Sequence, residues 1–287
     1  MSSGLASHTA QRVAEVRAVD AIVEPGRRLL DDRYAKIFFP PGSLPSTPGE
    51  AMDWLLANDR RYGGYTAMIL LRHRCFQDHL VRAAAAGAEQ AVLLGAGYDT
   101  TALRLTEPGR MRWFEVDHPS TQRDKLAALT RAGVSASSVE YVPMDFESGR
   151  SLGDALIGAG FDRDKPCVVG WLGVTFFLRP EAFQNTLAEL AALCAPGSTL
   201  VFDYMDQSVL DGTTPYEVAV RTNREMGAKG EPYLSGLTPE TADAVLRRAG
   251  FETVAQFRVP DLVKNHGGPD PYCVDDDFMG VVVAERS

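Results

Sequence analysis

Ala91-Val92-Leu93-Leu94-Gly95-Ala96-Gly97-Tyr98-Asp99-Thr100 is the stretch that decides how this 287-residue chain is read. Four apolar residues run straight into a Gly-x-Gly turn, and a helical pattern through Ala102, Leu103 and Leu105 follows. This order predicts a buried parallel strand, a tight turn and a helix. Glycine suits such a turn because it tolerates unusual backbone angles and leaves the backbone bare to a ligand. The first turn of a helix offers unpaired N–H groups and the positive end of its dipole. A nucleotide-like molecule lying on Gly95, Ala96 and Gly97 is therefore expected.

The same fragment argues against a dinucleotide. A pyrophosphate fingerprint continues to a third glycine, which lets helix and strand pack closely. Here Thr100 takes that place, and Asp99 sits in the turn. A carboxylate aimed at a pyrophosphate would be repelled. Beside an ammonium or sulfonium charge it would be harmless or useful, and S-adenosylmethionine carries both and no phosphate. Asp99 could equally cap the following helix by accepting from its first N–H groups.

Outward from this stretch the alternation is regular. Strands are expected at 91–94, 111–116, 139–142, 167–171 and 199–204, with helical stretches such as 122–131, 151–157 and 180–194 between them. Strands alternating with helices predict a doubly wound α/β sheet covered on both faces. A helix at 238–249, with Thr238 as cap and Pro239 in its first turn, precedes two closing strands at 252–259 and 278–285. That ending resembles the seven-stranded methyltransferase sheet, whose last strand is antiparallel. Residues 205–237 break the alternation and read as an insertion covering the substrate. Before the first strand, 7–22, 51–56 and 65–86 read as helices, with 43–50 as loop. The division expected is a helical cap or lid at 1–88 and a nucleotide-binding unit at 89–287.

The second strand ends Glu115-Val116-Asp117-His118-Pro119. An acid about 20 positions beyond the glycine turn, at a strand's C-terminal end, is where a ribose diol is gripped. Glu115 and Asp117 both qualify, and side-chain alternation puts them on one face. Asp145 and Phe146, just after the third strand, could accept from an adenine amino group and pack on its ring; Asp145 could equally be a turn aspartate. Trp171 and Leu172 end the fourth strand, at the mouth of the sheet or in the core beneath it. Arg72 and Arg74 lie in the helix before the first strand. An arginine can grip a methionine carboxylate through a bidentate pair, but spacing alone reads both as solvated. The five histidines show no ligand spacing, and Asp275-Asp276-Asp277 lacks the alternation of a calcium loop; no metal is expected.

Composition narrows the partners. Hydrophobic residues make up 45% and charged ones 23%, as in a soluble globular protein. A net charge of −9 disfavours nucleic acid, which needs a basic face. Cys75, Cys167, Cys194 and Cys273 form no C-x-x-C pair and suggest free thiols in a reducing cytoplasm. No signal peptide and no stretch near the roughly 20 apolar residues of a membrane span are expected.

Several motifs, in order, resemble one family. They are Ser7-x-Thr9-Ala10, Leu30-Asp31-Asp32-Arg33-Tyr34-Ala35, Arg72-His73-Arg74-x-x-x-Asp78, Leu94-Gly95-Ala96-Gly97-Tyr98-Asp99-Thr100, Phe114-Glu115-Val116-Asp117-His118-Pro119, Trp171-Leu172-Gly173-Val174-Thr175 and Phe202-Asp203-Tyr204. The chain resembles the leucine carboxyl methyltransferase family, in its bacterial branch of S-adenosylmethionine-dependent O-methyltransferases, which includes polyketide carboxyl methyltransferases of the tetracenomycin type. The resemblance implies the class I, Rossmann-like methyltransferase sheet and a cytoplasmic enzyme of secondary metabolism. It places S-adenosylmethionine as cofactor, S-adenosylhomocysteine as product and a small-molecule acceptor. It also implies that Arg72 binds the cofactor's carboxylate, Gly95 lies against its methionine part, Asp117 holds the ribose, and Asp145 and Phe146 border the adenine. Leu172 stands where eukaryotic members carry a glutamate, which argues against their phosphatase substrate.

A sulfonium methyl is already activated, so alignment supplies most of the rate. A carboxylate acceptor needs no base at neutral pH, whereas a phenol benefits from one. His73, His118, Tyr204 and Asp206 are the candidate bases, and none is compelling, which tilts the reading towards carboxyl methylation. Two other readings stay open. One is a non-catalytic cofactor-binding module. The other is an NAD-dependent oxidoreductase, for which the third glycine and a Tyr-x-x-x-Lys set are missing.

Overall fold

The computed structural model describes residues 8–105, 111–266, 270–272 and 277–287. Ser7, Cys273, Asp275 and Asp276 of the motifs above lie outside them. The chain opens with helices α1 (His8–Asp20), α2 (Pro48–Arg61) and α3 (Tyr65–Ala85). Then come β1 (Gln90–Leu94), α4 (Thr101–Arg104), β2 (Arg112–Asp117), α5 (Pro119–Arg131), β3 (Val139–Pro143), α6 (Leu152–Gly158), β4 (Cys167–Trp171), α7 (Pro180–Leu193) and β5 (Thr199–Met205). After β5 lie α8 (Gln207–Asp211), α9 (Glu217–Ala228), α10 (Pro239–Ala249), β6 (Phe251–Arg258), α11 (Val259–His266) and β7 (Met279–Arg286).

The seven strands form one sheet in the order β3-β2-β1-β4-β5-β7-β6. β1 to β5 pair in parallel, and β7 runs antiparallel between β5 and β6. Alternation along the strands loads two cores. Val92, Leu94, Phe114, Trp171 and Phe202 face α6, α7 and α10, while Ala91, Leu93, Trp113 and Val201 face the other way. That second core also takes Val16 and Val19 of α1, Leu55 of α2 and Met68 to Leu71 of α3. The N-terminal helices thus close one face of the sheet.

The strand order reverses between β1 and β4, and a crevice opens there at the C-terminal ends of the strands. Gly95 and Gly97 both take positive φ, at 63° and 51°, which L side chains avoid. The Gly95 and Ala96 amides donate to the Val116 carbonyl, at 2.7 and 3.2 Å, tying the turn to β2. The helix expected after the turn is the four-residue α4. It is too short to carry a useful dipole.

Two helix starts also differ from expectation. Residues 48–50 belong to α2, whose N-cap Thr47 forms a reciprocal capping box with Glu50. Pro48-Gly49 reads as a breaker in isolation, yet proline at N1 with a capping box is a start signal. α5 likewise begins at Pro119, capped by His118. Among the described residues no helix is long and apolar enough to cross a membrane.

Candidate functional site

A cavity of about 440 Å³ occupies the crevice. Its floor is the Gly95–Asp99 turn, with Asp117 at the end of β2 and His118 after it, Met144 to Phe146 after β3, and Leu172 to Val174 after β4. Its roof comes from α1 (His8, Thr9, Ala10, Val13, Arg17) and from Lys229 to Pro232 with Leu234, on the limb returning from α9. The two roof pieces meet where Thr9 donates both its amide (3.0 Å) and its hydroxyl (2.5 Å) to Glu231 Oε2. This carboxylate accepts from an otherwise orphan N–H at the start of α1, where the helix dipole favours an anion.

The predicted residues separate into those at the cavity and those behind it. Arg72, Gly95, Ala96, Gly97, Asp99, Asp117, Asp145, Phe146 and Leu172 line it, as do His73 and His118. Glu115 does not, although it shares the face of Asp117. It lies two residues deeper on β2, and its carboxylate sits 2.5 Å from Lys125 Nζ. Burial pushes it up to about 7, against the Lys125 charge. Trp171 faces the opposite core, stacked on Phe183 at 5.2 Å between centroids. Tyr204 and Asp206 also miss the cavity: Asp206 pairs with Arg258 at 3.1 Å and caps α8. Tyr204 is held by that same arginine and lines a separate space of about 270 Å³.

Asp117 is well placed as a diol acceptor. Its Oδ2 accepts from the Gly97 amide and its Oδ1 from the His118 amide. A carboxylate has about four lone-pair sites, so half its capacity remains. Asp99 is not in that position. Its Oδ1 accepts from Thr101 N at 2.7 Å and lies 3.4 Å from Arg17 Nη1, and its Oδ2 lies 3.5 Å from His73 Nε2. Burial alone would raise Asp99, but the His73 hydrogen bond and the Arg17 charge hold it well below the usual carboxylate range. The cap on the following backbone is present, and the charge is already matched within the protein.

The two imidazoles are engaged as well. His73 Nδ1 lies 2.6 Å from the Ile69 carbonyl while Nε2 faces Asp99. Burial pushes the ring below its ordinary pKa against the pull of Asp99. Both its nitrogens are turned to protein acceptors. His118 Nδ1 contacts Ser120 Oγ at 2.7 Å and caps α5 beside Asp117.

Arg72 is buried, not solvated. Nη1 lies 2.7 Å from Asp203 Oδ2, and its Nε is buried with no partner among the described residues. A guanidinium on the lining of a cavity is a binding group for an anion such as a carboxylate. Arg74, two residues on, is exposed and, among the described residues, pairs only with Asp78, so the solvated reading holds for it. With a bare glycine turn, a half-used carboxylate at the β2 end and a guanidinium on its lining, the cavity fits S-adenosylmethionine.

Other residues at the site are ones the sequence reading passed over. Arg17 of α1 donates to the Tyr98 carbonyl at 2.7 Å and pairs with Asp32 at 3.0 Å. Asp32 in turn accepts from the Thr100 hydroxyl, and Lys125 Nζ donates to the Asp99 carbonyl. Asp203 had a legible signal, an acid within the apolar strand Thr199–Met205, where it must be paired.

Comparison with known proteins adds the kinship. The profile of the leucine carboxyl methyltransferase family matches residues 10–191. A protein of Mycolicibacterium gilvum, named by inference as an S-adenosyl-L-methionine-dependent methyltransferase, is 32% identical over 97% of this chain and 93% of its own. One of Frankia alni, similarly named, is 33% identical over 94% and 92%. Among solved structures, a DUF574 family protein of Streptomyces avermitilis superposes with a TM-score of 0.59 at 17% identity, over 94% of this chain and all (100%) of the other. A protein of Thermobifida fusca, assigned by inference as a methyltransferase, superposes with a TM-score of 0.58 at 16% identity, over 95% and 94%. At those identities the superpositions speak for the fold.

Proposed function

The chain belongs to the leucine carboxyl methyltransferase family and uses S-adenosylmethionine as its cofactor; from that premise we propose that it methylates a carboxylate oxygen of a small, largely apolar metabolite. The observation that carries the reading is the mix of apolar and cationic groups lining the cavity. Val13, Val174, Phe177, Leu178, Pro232 and Leu234 supply apolar walls, and Lys229 supplies an ammonium with no ion pair among the described residues. An apolar body with one anionic group complements such a wall. His73 has both ring nitrogens turned to protein acceptors and His118 spends Nδ1 on Ser120, which supports an acceptor that needs no base.

In this reading Arg72 holds the cofactor's carboxylate, Asp117 its ribose, and Asp145 and Phe146 border its adenine. The cofactor supplies an activated methyl, and the chain's own residues hold the acceptor in line and exclude water. Residues 8–17 of α1 and the limb 229–234 together form the cover of the site.

The test is turnover to S-adenosylhomocysteine with panels of carboxylic acids and phenols. Methyl esters are cleaved by mild alkali and methyl ethers are not, so the product identifies the oxygen. A carboxylate, with a pKa of about 4, is fully ionised across the assay range, so kcat/KM stays flat from about pH 6 to 9. A rate that climbs with pH, with an alkali-stable product, would replace carboxyl by phenol methylation. A protein that binds the cofactor but turns over no acceptor is the non-catalytic module.

A further inference from the structure

Asp203 lies on β5 beneath the cavity and does not line it, yet it holds the group that does. Its two oxygens serve two donors: Oδ2 takes Arg72 Nη1 at 2.7 Å, and Oδ1 takes the Gly173 amide at 2.6 Å. Gly173 lies against the other side of the guanidinium. A Cβ built there would come 2.5 Å from Arg72 Nη2, and its φ of 74° already demands glycine. The Tyr65 hydroxyl is a further hydrogen-bond partner of Arg72. The guanidinium is therefore fixed at Nη1 and flanked at Nη2, and its Nε has no partner among the described residues.

We propose that Asp203 is the positioning residue of the cofactor site: with the Gly173 amide it holds Arg72 so that its guanidinium meets the cofactor's carboxylate. The inference rests on the assignment of Arg72 given above. A carboxylate is the only small side chain that can accept on both sides here. An amide in its place presents one acceptor and one donor. Either Arg72 or the Gly173 N–H would then face another N–H, and the guanidinium would swing away from its register.

The experiment compares binding of S-adenosylhomocysteine with that of 5′-methylthioadenosine, which keeps the nucleoside and thioether but has no carboxylate. Both are titrated calorimetrically into wild type and Asp203→Asn. Wild type is expected to prefer S-adenosylhomocysteine. Asp203→Asn is expected to lose about tenfold or more in affinity for it, with 5′-methylthioadenosine unchanged. Equal losses for both ligands mean general damage to the fold and overturn the proposal. So does an unchanged or improved affinity for S-adenosylhomocysteine. If wild type itself binds the two equally, the Arg72 assignment fails first. Should Asp203→Asn not fold, Gly173→Ala takes its place: it keeps both charges and pushes a methyl onto the guanidinium. It must show the same selective loss, and an unchanged preference would overturn the proposal.

Discussion

Replacing Arg17 by methionine tests how tightly the N-terminal helix is built into the cofactor turn. Methionine keeps the unbranched apolar length of the side chain and removes the charge. Arg17 is 1% exposed and sits between two buried acids, Asp32 at 3.0 Å and Asp99 at 3.4 Å. It also donates to the Tyr98 carbonyl at 2.7 Å. Removing one member of a buried pair costs about 3–5 kcal/mol, because the remaining charge is left uncompensated. Both acids keep other donors: Asp99 has Thr101 N and His73, and Asp32 has the Thr100 hydroxyl and the Ala35 amide. That places the pair at the lower end of the range, and the lost charged bond to Tyr98 adds more than 1 kcal/mol. The expected total is about 4 kcal/mol, or a fall in Tm of about 10 °C for a chain of this size. The assays are urea unfolding, read as midpoint and slope, and calorimetric binding of S-adenosylhomocysteine. Because Tyr98 and Asp99 belong to the turn that carries the ligand, affinity should fall together with stability. A stability loss under about 1 kcal/mol with unchanged affinity would refute the reasoning, since it would mean that α1 merely rests on the turn.

Four further outcomes are expected. Glu231→Ala opens the Thr9 contact between the two roof pieces, and S-adenosylhomocysteine should leave about tenfold faster by stopped flow; an unchanged rate would show that this contact does not gate the cavity. Lys229→Met should raise the acceptor KM about fivefold with kcat intact, as loss of uniform binding does; a lower kcat at constant KM would contradict its place as an anchor. Asp99 has a folded pKa held below its unfolded value, so the stability it provides is present above about pH 4 and is lost as the pH falls through the folded value. Asp99→Asn should flatten acid unfolding below about pH 4, and an identical acid limb would count against the Arg17–Asp99–His73 cluster. Burial pushes the Cys75 thiol up to about 12, so at about pH 8 only about one part in ten thousand is thiolate; iodoacetamide labelling of native protein, followed by peptide mass spectrometry, should leave Cys75 unmodified.

Where the sequence was legible, the signal was local. Val92-Leu93-Leu94 before two glycines announced a buried strand and a turn, because apolar runs and positive φ are properties of a few neighbouring residues. The start of α2 was also local, and was missed only because Pro48-Gly49 outweighed the Thr47-x-x-Glu50 box. The choice between Asp117 and Glu115, and between Arg72 and Arg74, was not local. Each pair has similar chemistry two residues apart. What separates them is where Lys125 and Asp203 come to lie, 10 and 131 positions away.

By itself the sequence determined the alternation of strands and helices, the glycine turn and the class of ligand it suits. Hydrophobic period and glycine placement act within a turn or two of chain, whatever the rest of the molecule does. The tertiary structure alone decided which charges face the cavity and which are spent behind it. A buried charge survives only beside a partner, and the partners here arrive from distant elements. Arg17 reaches the turn from α1, Asp203 reaches Arg72 from β5, and Glu231 reaches Thr9 from the limb after α9.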